Sequence, residues 1–298
     1  MSILKRAVLS SEWLSGLALE RMVRREEDRV SRMQRQSPWN EVKFWGVAEV
    51  LDALQLSVRN DTCHIIASGS SALASIRKIR GGKDFVFGFN FAALLDLEFD
   101  AYFIEIASPR ADVLELSDLQ AELVSGMAAA RLKMVFAKNL WEGGVDLEFM
   151  RRNYRSPPPM ISDILMPHLP LDRGDSANRA TVRSFLKRRE TFIPQIRTTA
   201  FTWLAIAHYL GFRRVVFHGL DMYGPYWFSQ GEVDAPNAYL TRLRKCFPEV
   251  SSAVPHETSQ PVRCLLPVFA DVLRARGCEL FVGAKESPAA EFLPVFPW

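Results

Sequence analysis

The clearest indication of the chain's architecture is Cys63-His64-Ile65-Ile66-Ala67-Ser68-Gly69-Ser70-Ser71-Ala72-Leu73. Its first half is a short apolar run, which predicts a buried strand. The small residues Ser68 to Ser71 follow, and they allow the backbone to turn sharply and to approach a ligand closely. Spacing from Leu73 to Arg80 predicts a helix after the turn. The free N–H groups at such a helix start favour a phosphate, so we predict a nucleotide site here.

The turn by itself is not specific for one ligand. It holds one glycine, Gly69, where the dinucleotide fingerprint needs three. The next predicted strand, Asp84 to Asn90, ends in an amide and not in the acid that binds the ribose of NAD. An amide donates and accepts hydrogen bonds, which suits a base edge or a sugar hydroxyl. A tight turn and a strand-terminal Asn without any ligand remain an alternative at this point.

Composition narrows the class of protein. The chain has 298 residues, enough for one large domain or two modest ones, and a net charge of +3 with no dominant Lys/Arg block. We therefore expect no nucleic-acid partner. The four cysteines form no C-x-x-C pair, and neither a membrane-spanning run nor a signal peptide is evident. These features predict a cytoplasmic protein.

The N-terminal part is predicted to be helical. Residues 11 to 36 place apolar residues among many arginines and glutamates, which predicts an amphipathic helix. Such a helix packs on its own domain or, in the alternative, contacts the inner-membrane surface or a second copy of the chain. Val42 to Leu56 predicts a second helix. We therefore divide the chain into an N-terminal helical extension, residues 1–62, and an α/β domain, residues 63–298.

The rest of the chain alternates between strands and helices. Further strands are predicted at residues 100–106, 132–139, 213–218 and 278–282, with helices between most of them. Alternation of this kind predicts a Rossmann-like parallel sheet with helices on both faces. Residues 151–195 are rich in proline and are predicted to hold no sheet strand. Residues 224–255 are aromatic and irregular, which predicts a small lid.

Three segments resemble the bacterial sialyltransferases of glycosyltransferase family 42. The first, Ala67 to Leu73, stands where that family has a G-x-G-P-S-L turn. The second runs from Ala205 through Gly219-Leu220-Asp221-Met222-Tyr223 and is similar to the family's A-x-x-L-G-(Y/F)…G-(I/L)-D-x-Y pattern. The third is His256-Glu257-Thr258-Ser259, followed by a helix, a strand and Ser287-Pro288. The similarity spans roughly residues 63 to 292, and a similar first turn also occurs in pterin-pyrophosphokinase-like proteins.

The resemblance implies a GT-A-like nucleotide-binding domain and a transferase of cell-surface glycan biosynthesis. Such an enzyme moves sialic acid or a Kdo-like relative from a CMP-linked donor to a hydroxyl of a glycan or lipopolysaccharide-like acceptor. The family reacts with inversion, without a metal and without a cofactor. His256 would then be the general base, and Tyr223 and Tyr226 would stabilise the departing phosphate.

The resemblance also implies a nucleotide-binding set at the carboxyl ends of the strands. Asn90 would contact the donor, and Thr199 would take the place of a serine that meets the cytidine. The loop of Gly219 and Asp221 should face the same crevice as the first turn, because ligands of open α/β sheets bind beyond the carboxyl ends of strands. Asp221 is expected to anchor its loop through backbone N–H groups. The predicted set is Ser68, Gly69, Ser70, Ser71, Asn90, Thr199, Gly219 and Asp221.

Two other classes of protein remain open from the residues. Asp96, Glu98 and Asp100 resemble a D-x-D clamp for Mg²⁺ in a metal-dependent sugar transferase, although they precede a strand. A non-catalytic nucleotide- or glycan-binding module is the third class, and it applies if His256 lies far from the crevice. A histidine with a pKa near 6.5 suits the general base of the first class. The other histidines show no metal-ligand spacing and are expected to be structural.

Overall fold

The computed structural model describes most of the α/β part of the chain. The described residues are 44–80, 83–106, 114–139, 160–161, 175–187, 198–221, 236–246 and 259–298, with single residues between Leu14 and Asp28. Those single residues are all helical, in agreement with the helix predicted over residues 11–36. Among the helices that the structure describes, none is both long and apolar enough to cross a membrane.

The described residues form one sheet and the helices that cover it. The strands are β1 (Phe44–Trp45), β2 (Thr62–Ile66), β3 (Phe85–Phe89), β4 (Ala101–Ile106), β5 (Val135–Asn139), β6 (Met160–Ile161), β7 (Arg214–His218) and β8 (Glu279–Val282). The α-helices are α1 (Val47–Gln55), α2 (Leu114–Glu122), α3 (Asp175–Leu186), α4 (Thr199–Tyr209), α5 (Asn237–Cys246) and α6 (Ser259–Arg274).

The sheet is parallel throughout, with the strand order β1-β6-β5-β4-β3-β2-β7-β8. From β2 the chain moves to β3 on one side, and from β7 it moves to β8 on the other side. The boundary between β2 and β7 is therefore the topological switch point, where an open α/β sheet leaves a crevice at the carboxyl ends of its strands. The α/β class and the parallel sheet predicted from the sequence are confirmed.

Both faces of the sheet are covered, as predicted. Side chains of one strand point alternately to opposite faces. Phe87 of β3 packs in a core with α1, α3, α4 and α6, whereas Val86 packs in a second core with α2 and α5. Every strand residue of β2 and β3 is buried, which explains their nearly continuous apolar sequences.

Helix α4 is held at a defined height against the sheet. The indole ring of Trp203 stacks on Phe87 and Phe103, with ring centroids 4.3 and 3.8 Å apart. Its Nε1 donates to the carbonyl oxygen of Gly88 at 3.0 Å. Since α4 leads into β7 of a parallel sheet, its first residue, Thr199, lies at the carboxyl-end edge of the sheet.

Several predicted elements were wrong in type or extent. A strand, β6, lies within residues 151–195 and pairs with β1 and β5, and the same region contains α3. Its two residues are too few for a period-2 pattern to be visible in the sequence. Within the segment predicted as one helix from Val42, Phe44 and Trp45 form β1, and the region predicted as an irregular lid contains α5.

Residues 44 to 55, which the sequence analysis assigned to the N-terminal extension, belong to the sheet and its core. Strand β1 forms one edge of the sheet through its pairing with β6. Val50 and Leu54 of α1 are fully buried in the same core as α4 and α6. The sheet therefore includes chain from before residue 63.

Candidate functional site

Two loops meet at the switch point of the sheet. Ala67, just after β2, donates its N–H to the carbonyl oxygen of His218 at 2.8 Å. Gly69 donates its N–H to the carbonyl oxygen of Gly219 at 3.0 Å. These bonds continue the β2–β7 pairing beyond the strands, so the first turn and the second loop form one unit. The predicted convergence of these two loops is confirmed.

Asp221, in the second loop, binds the first turn through its side chain. Its carboxylate accepts hydrogen bonds from the backbone N–H of Ser71 at 2.8 Å, from the Ser71 hydroxyl, and from the Ser70 hydroxyl at 3.4 Å. Burial raises the pKa of the Asp221 carboxyl, while the bonds from Ser71 oppose that rise. The expected anchoring role of Asp221 is thus seen, with Ser71 as its main donor.

The donors of the first turn are therefore partly occupied. The N–H of Ser71, predicted to be free for a phosphate, already binds the Asp221 carboxylate. The predicted helix after the turn is also replaced by two short 3₁₀ turns, Ser70–Ala74 and Ile76–Lys78. Without a regular α-helix the macrodipole contribution that we expected at this turn is missing.

The two glycines of the unit leave no room for a side chain. A Cβ atom at Gly69 would lie 2.4 Å from Cγ of Asp221. Gly219 has a positive φ of 67°, and a Cβ there would lie 2.7 Å from the carbonyl oxygen of Gly69 and 2.9 Å from that of Ala67. The close approach of the two loops therefore depends on glycine at both positions.

Gly219→Ala is expected to destabilise the fold by about 2–4 kcal/mol, because it adds overpacking against backbone to the strain of a positive φ. Gly211→Ala is the matched control: Gly211 also has a positive φ, 84°, but nothing lies within 4 Å of its added Cβ. The control should lose only about 1 kcal/mol. Urea unfolding of both variants measures the difference, and equal losses would contradict the close packing of the two loops.

Asn90 and Thr199 lie at the same edge of the sheet as the two loops. Ile66 of β2 pairs with Gly88 of the neighbouring strand β3. Ser68 follows β2 by two residues and Asn90 follows β3 directly, so both lie beyond the carboxyl ends of adjacent parallel strands. Thr199 is buried in the first turn of α4, directly after the N-cap Thr198.

A hydrogen-bonded histidine pair lies beneath this edge. His64 Nδ1 is 3.0 Å from His218 Nε2, and His218 Nδ1 is 2.8 Å from the hydroxyl oxygen of Ser75. The other ring nitrogen of His64 lies 3.8 Å from the Asp84 carboxylate. Because that carboxylate favours a proton on Nε2 of His64, we infer that His218 Nε2 donates to His64 and that Ser75 donates to His218.

The pair is sealed from solvent. Both rings are about 1% exposed, and Trp298 stacks on His64 with ring centroids 5.9 Å apart. Burial lowers the pKa of His64 to about 4 and that of His218 well below its usual range. Both histidines are therefore neutral at pH 7, and the prediction that they are structural agrees with their burial. No local sequence pattern indicates that the two rings contact each other, since they are 154 positions apart.

Two of the three acids considered for a metal clamp, Asp96 and Asp100, bind other groups of the protein. Asp100 is buried, and its carboxylate accepts from the N–H of Val86 at 3.0 Å and from Lys133 Nζ at 2.7 Å. Asp96 is exposed and pairs with Arg131 at 3.4 Å. Both precede β4, at the amino end of the sheet and away from the crevice. Among the residues that the structure describes, no group of three His, Cys, Asp or Glu side chains could hold a metal ion.

The three predicted catalytic residues, His256, Tyr223 and Tyr226, lie outside the described residues. Tyr223 is two residues beyond Asp221, and His256 is three residues before the start of α6. Their approach to the crevice stays a prediction.

Comparison with known proteins finds no matching family model and no matching curated protein. Among solved structures, the α-2,3-sialyltransferase Cst-I from Campylobacter jejuni matches with 16% identity and a TM-score of 0.46, covering 79% of this chain and 80% of that one. The sialyltransferase CST-II with trisaccharide acceptor and CMP matches with 16% identity and a TM-score of 0.45, covering 79% and 86%. CstII from the same organism with CMP-3FNeuAc gives 16% identity, a TM-score of 0.44 and the same coverage. At this identity and TM-score the likeness supports no conclusion about function.

Proposed function

We propose that this chain is an inverting, metal-independent glycosyltransferase. It would transfer sialic acid or a related nonulosonate from a CMP-linked donor to a glycan hydroxyl. The observation that carries the proposal is the union of Ala67–Ser71 with Gly219–Asp221 at the switch point, through the bonds of Gly69 and Asp221. These are two of the three segments on which the sequence resemblance to family 42 sialyltransferases rests, and they lie where α/β sheets bind nucleotides.

In this proposal the residues have two roles: some hold the two loops together, and others bind the nucleotide. The two loops are held together by Asp221, Ser71 and Gly219. The Asp221 carboxylate is bound by Ser71, and the backbone of the first turn fills the space next to Gly219. Ser68 and Asn90, which are partly exposed just beyond the ends of β2 and β3, would contact the phosphate and the sugar of the nucleotide. Thr199, the first residue of α4, would contact the cytidine from the same edge of the sheet.

Sugar transfer at the anomeric carbon also requires a group that stabilises the leaving phosphate and a base that deprotonates the acceptor. The CMP phosphate leaves with negative charge, which the phenol groups of Tyr223 and Tyr226 would stabilise by donating hydrogen bonds. The acceptor hydroxyl loses its proton as its oxygen attacks the anomeric carbon, and His256 would take that proton. Attack from the face opposite to the phosphate gives inversion.

A metal-dependent transferase using the acids before β4 is the weaker hypothesis, because Asp100 is committed to Val86 and Lys133. We expect purified protein to transfer sugar from CMP-sialic acid, or another CMP-linked nonulosonate, at the same rate with EDTA as with Mg²⁺. A rate that disappears in EDTA and returns with Mg²⁺ would favour the metal-dependent enzyme. Absence of transfer with every CMP-linked donor, together with specific cytidine nucleotide binding, would favour the non-catalytic module.

A further inference from the structure

Asn90 has a left-handed backbone conformation, which few residues other than glycine and asparagine adopt. It is the one residue other than glycine with a positive φ in the described part of the chain, at 55°. A left-handed conformation is strained for side-chain-bearing residues and persists only where the surroundings hold it. Asn90 follows β3 directly, at the edge of the sheet that carries the candidate site. The hydrogen bonds of this turn show what holds it in place.

The hydroxyl of Tyr102 holds the turn that contains Asn90. Tyr102 lies on β4 and is fully buried, and its hydroxyl donates to the carbonyl oxygen of Asn90 at 2.6 Å. The same hydroxyl accepts from the N–H of Ala93 at 3.2 Å. One phenol thus binds the backbone on both sides of the turn and holds it in a single conformation.

The sequence around Tyr102 makes room for this arrangement. A Cβ at Gly88 would lie 2.7 Å from the Tyr102 ring and 2.5 Å from the Phe99 ring, so glycine in β3 lets both rings pack over the strand. Phe99 contacts Tyr102 edge to face, with ring centroids 5.4 Å apart. The phenol is therefore fixed in the core, and only its oxygen reaches the end of β3.

The consequence is a defined position for the Asn90 side chain. Its carbonyl group is bound on the core side by Tyr102, and its side chain is partly exposed at the sheet edge. Among the described residues the Asn90 amide group makes no hydrogen bond of its own. It is therefore available to a sugar hydroxyl or phosphate oxygen of a bound nucleotide.

We propose that Tyr102 is a positioning residue, which sets the Asn90 amide for contact with the nucleotide donor through the Asn90 carbonyl. This inference rests on the proposed function for the identity of the ligand. Tyr102 touches neither substrate nor reacting atoms. Its effect is expected on nucleotide affinity, because a misplaced amide loses its hydrogen bond to the ligand.

The test is CMP binding to Tyr102→Phe, which removes one oxygen and keeps the ring. We expect affinity to fall by about tenfold, the equivalent of one lost hydrogen bond. Tyr209→Phe is the matched control: Tyr209 is also buried and donates to a backbone carbonyl, that of Phe185, at 3.0 Å, but at the opposite end of α4. The control should bind CMP as the wild type does.

A double variant distinguishes a positioning role of Tyr102 from a general loss of stability. In an Asn90→Gly background, which tolerates a positive φ and lacks the amide, Tyr102→Phe should cause no further loss of CMP affinity. Equal affinity of Tyr102→Phe and Tyr209→Phe, or additive losses in the double variant, would overturn the proposal. If the wild type binds no CMP, the proposed function fails. The NMR chemical shifts of the Asn90 amide and Cα then test whether Tyr102 positions Asn90. A shift in Tyr102→Phe that is absent from Tyr209→Phe supports it, and unchanged shifts overturn it.

Discussion

His256→Ala is expected to lower sugar transfer from a CMP-linked donor by about 10²- to 10⁴-fold, the contribution that a general base makes. CMP affinity should stay unchanged, since the proposed role of His256 concerns the acceptor hydroxyl and not the nucleotide. The wild-type rate should rise with pH as the histidine loses its proton and becomes able to act as a base. The variant should lack this dependence.

The measurement is single-turnover transfer at saturating donor, paired with a CMP titration of the same preparation. His168→Ala is the control, because the sequence assigns no catalytic role to His168, and it should transfer normally. His256→Gln provides a second variant with a polar side chain in case alanine prevents folding. Unaltered transfer in either His256 variant would eliminate this histidine as the base.

Acidification from pH 7 to pH 5 is expected to lower the free energy of unfolding by about 4 kcal/mol, through His64 and His218. Both folded-state pKa values lie below the unfolded value of about 6.5, because burial disfavours the charged rings. The unfolded chain therefore binds protons that the folded chain does not. Stability is complete above pH 6.5 and is lost as the pH falls toward the folded pKa, near 4 for His64.

Urea unfolding at pH 5, 6, 7 and 8 measures this loss, and the range lies above the usual titration of carboxylates. Each histidine contributes about 1.4 kcal/mol per pH unit within the window. His64→Gln removes one titrating ring, so its loss between pH 7 and pH 5 should be about half that of the wild type. A stability that does not change over this range would show that the pair is not buried and neutral.

The main strands of the sheet and the turn after β2 could be predicted from the sequence alone. The apolar runs that became β2, β3 and β7 are long enough to be recognised, and the small residues after β2 marked the turn. The loop after β7 was assigned to the same crevice by the topology rule for parallel sheets, and its bond with Gly69 confirms that placement. Regular, fully buried elements are those whose local sequence and tertiary environment agree.

Other features depended on contacts that no local pattern encodes. Strand β6 has two residues, and its identity comes from pairing with β1 and β5. The Asp221 carboxylate occupies the Ser71 donor across 150 positions of sequence, so the turn was assigned more free donors than it has. The bond between Tyr102 and Asn90 likewise joins a buried phenol to a backbone oxygen, and neither residue type indicates it.

A cytidine nucleotide is expected to bind beyond the carboxyl ends of β2 and β7, and NMR titration of ¹⁵N-labelled protein with CMP, UDP and ADP tests this directly. We expect saturable binding that prefers CMP, with the largest shifts at the amides of Gly69, Asn90 and Gly219. Gly211 and Gly277, glycines outside the crevice, serve as internal references and should not shift. A preference for UDP or ADP, or shifts that leave all three crevice residues unchanged, would contradict the account.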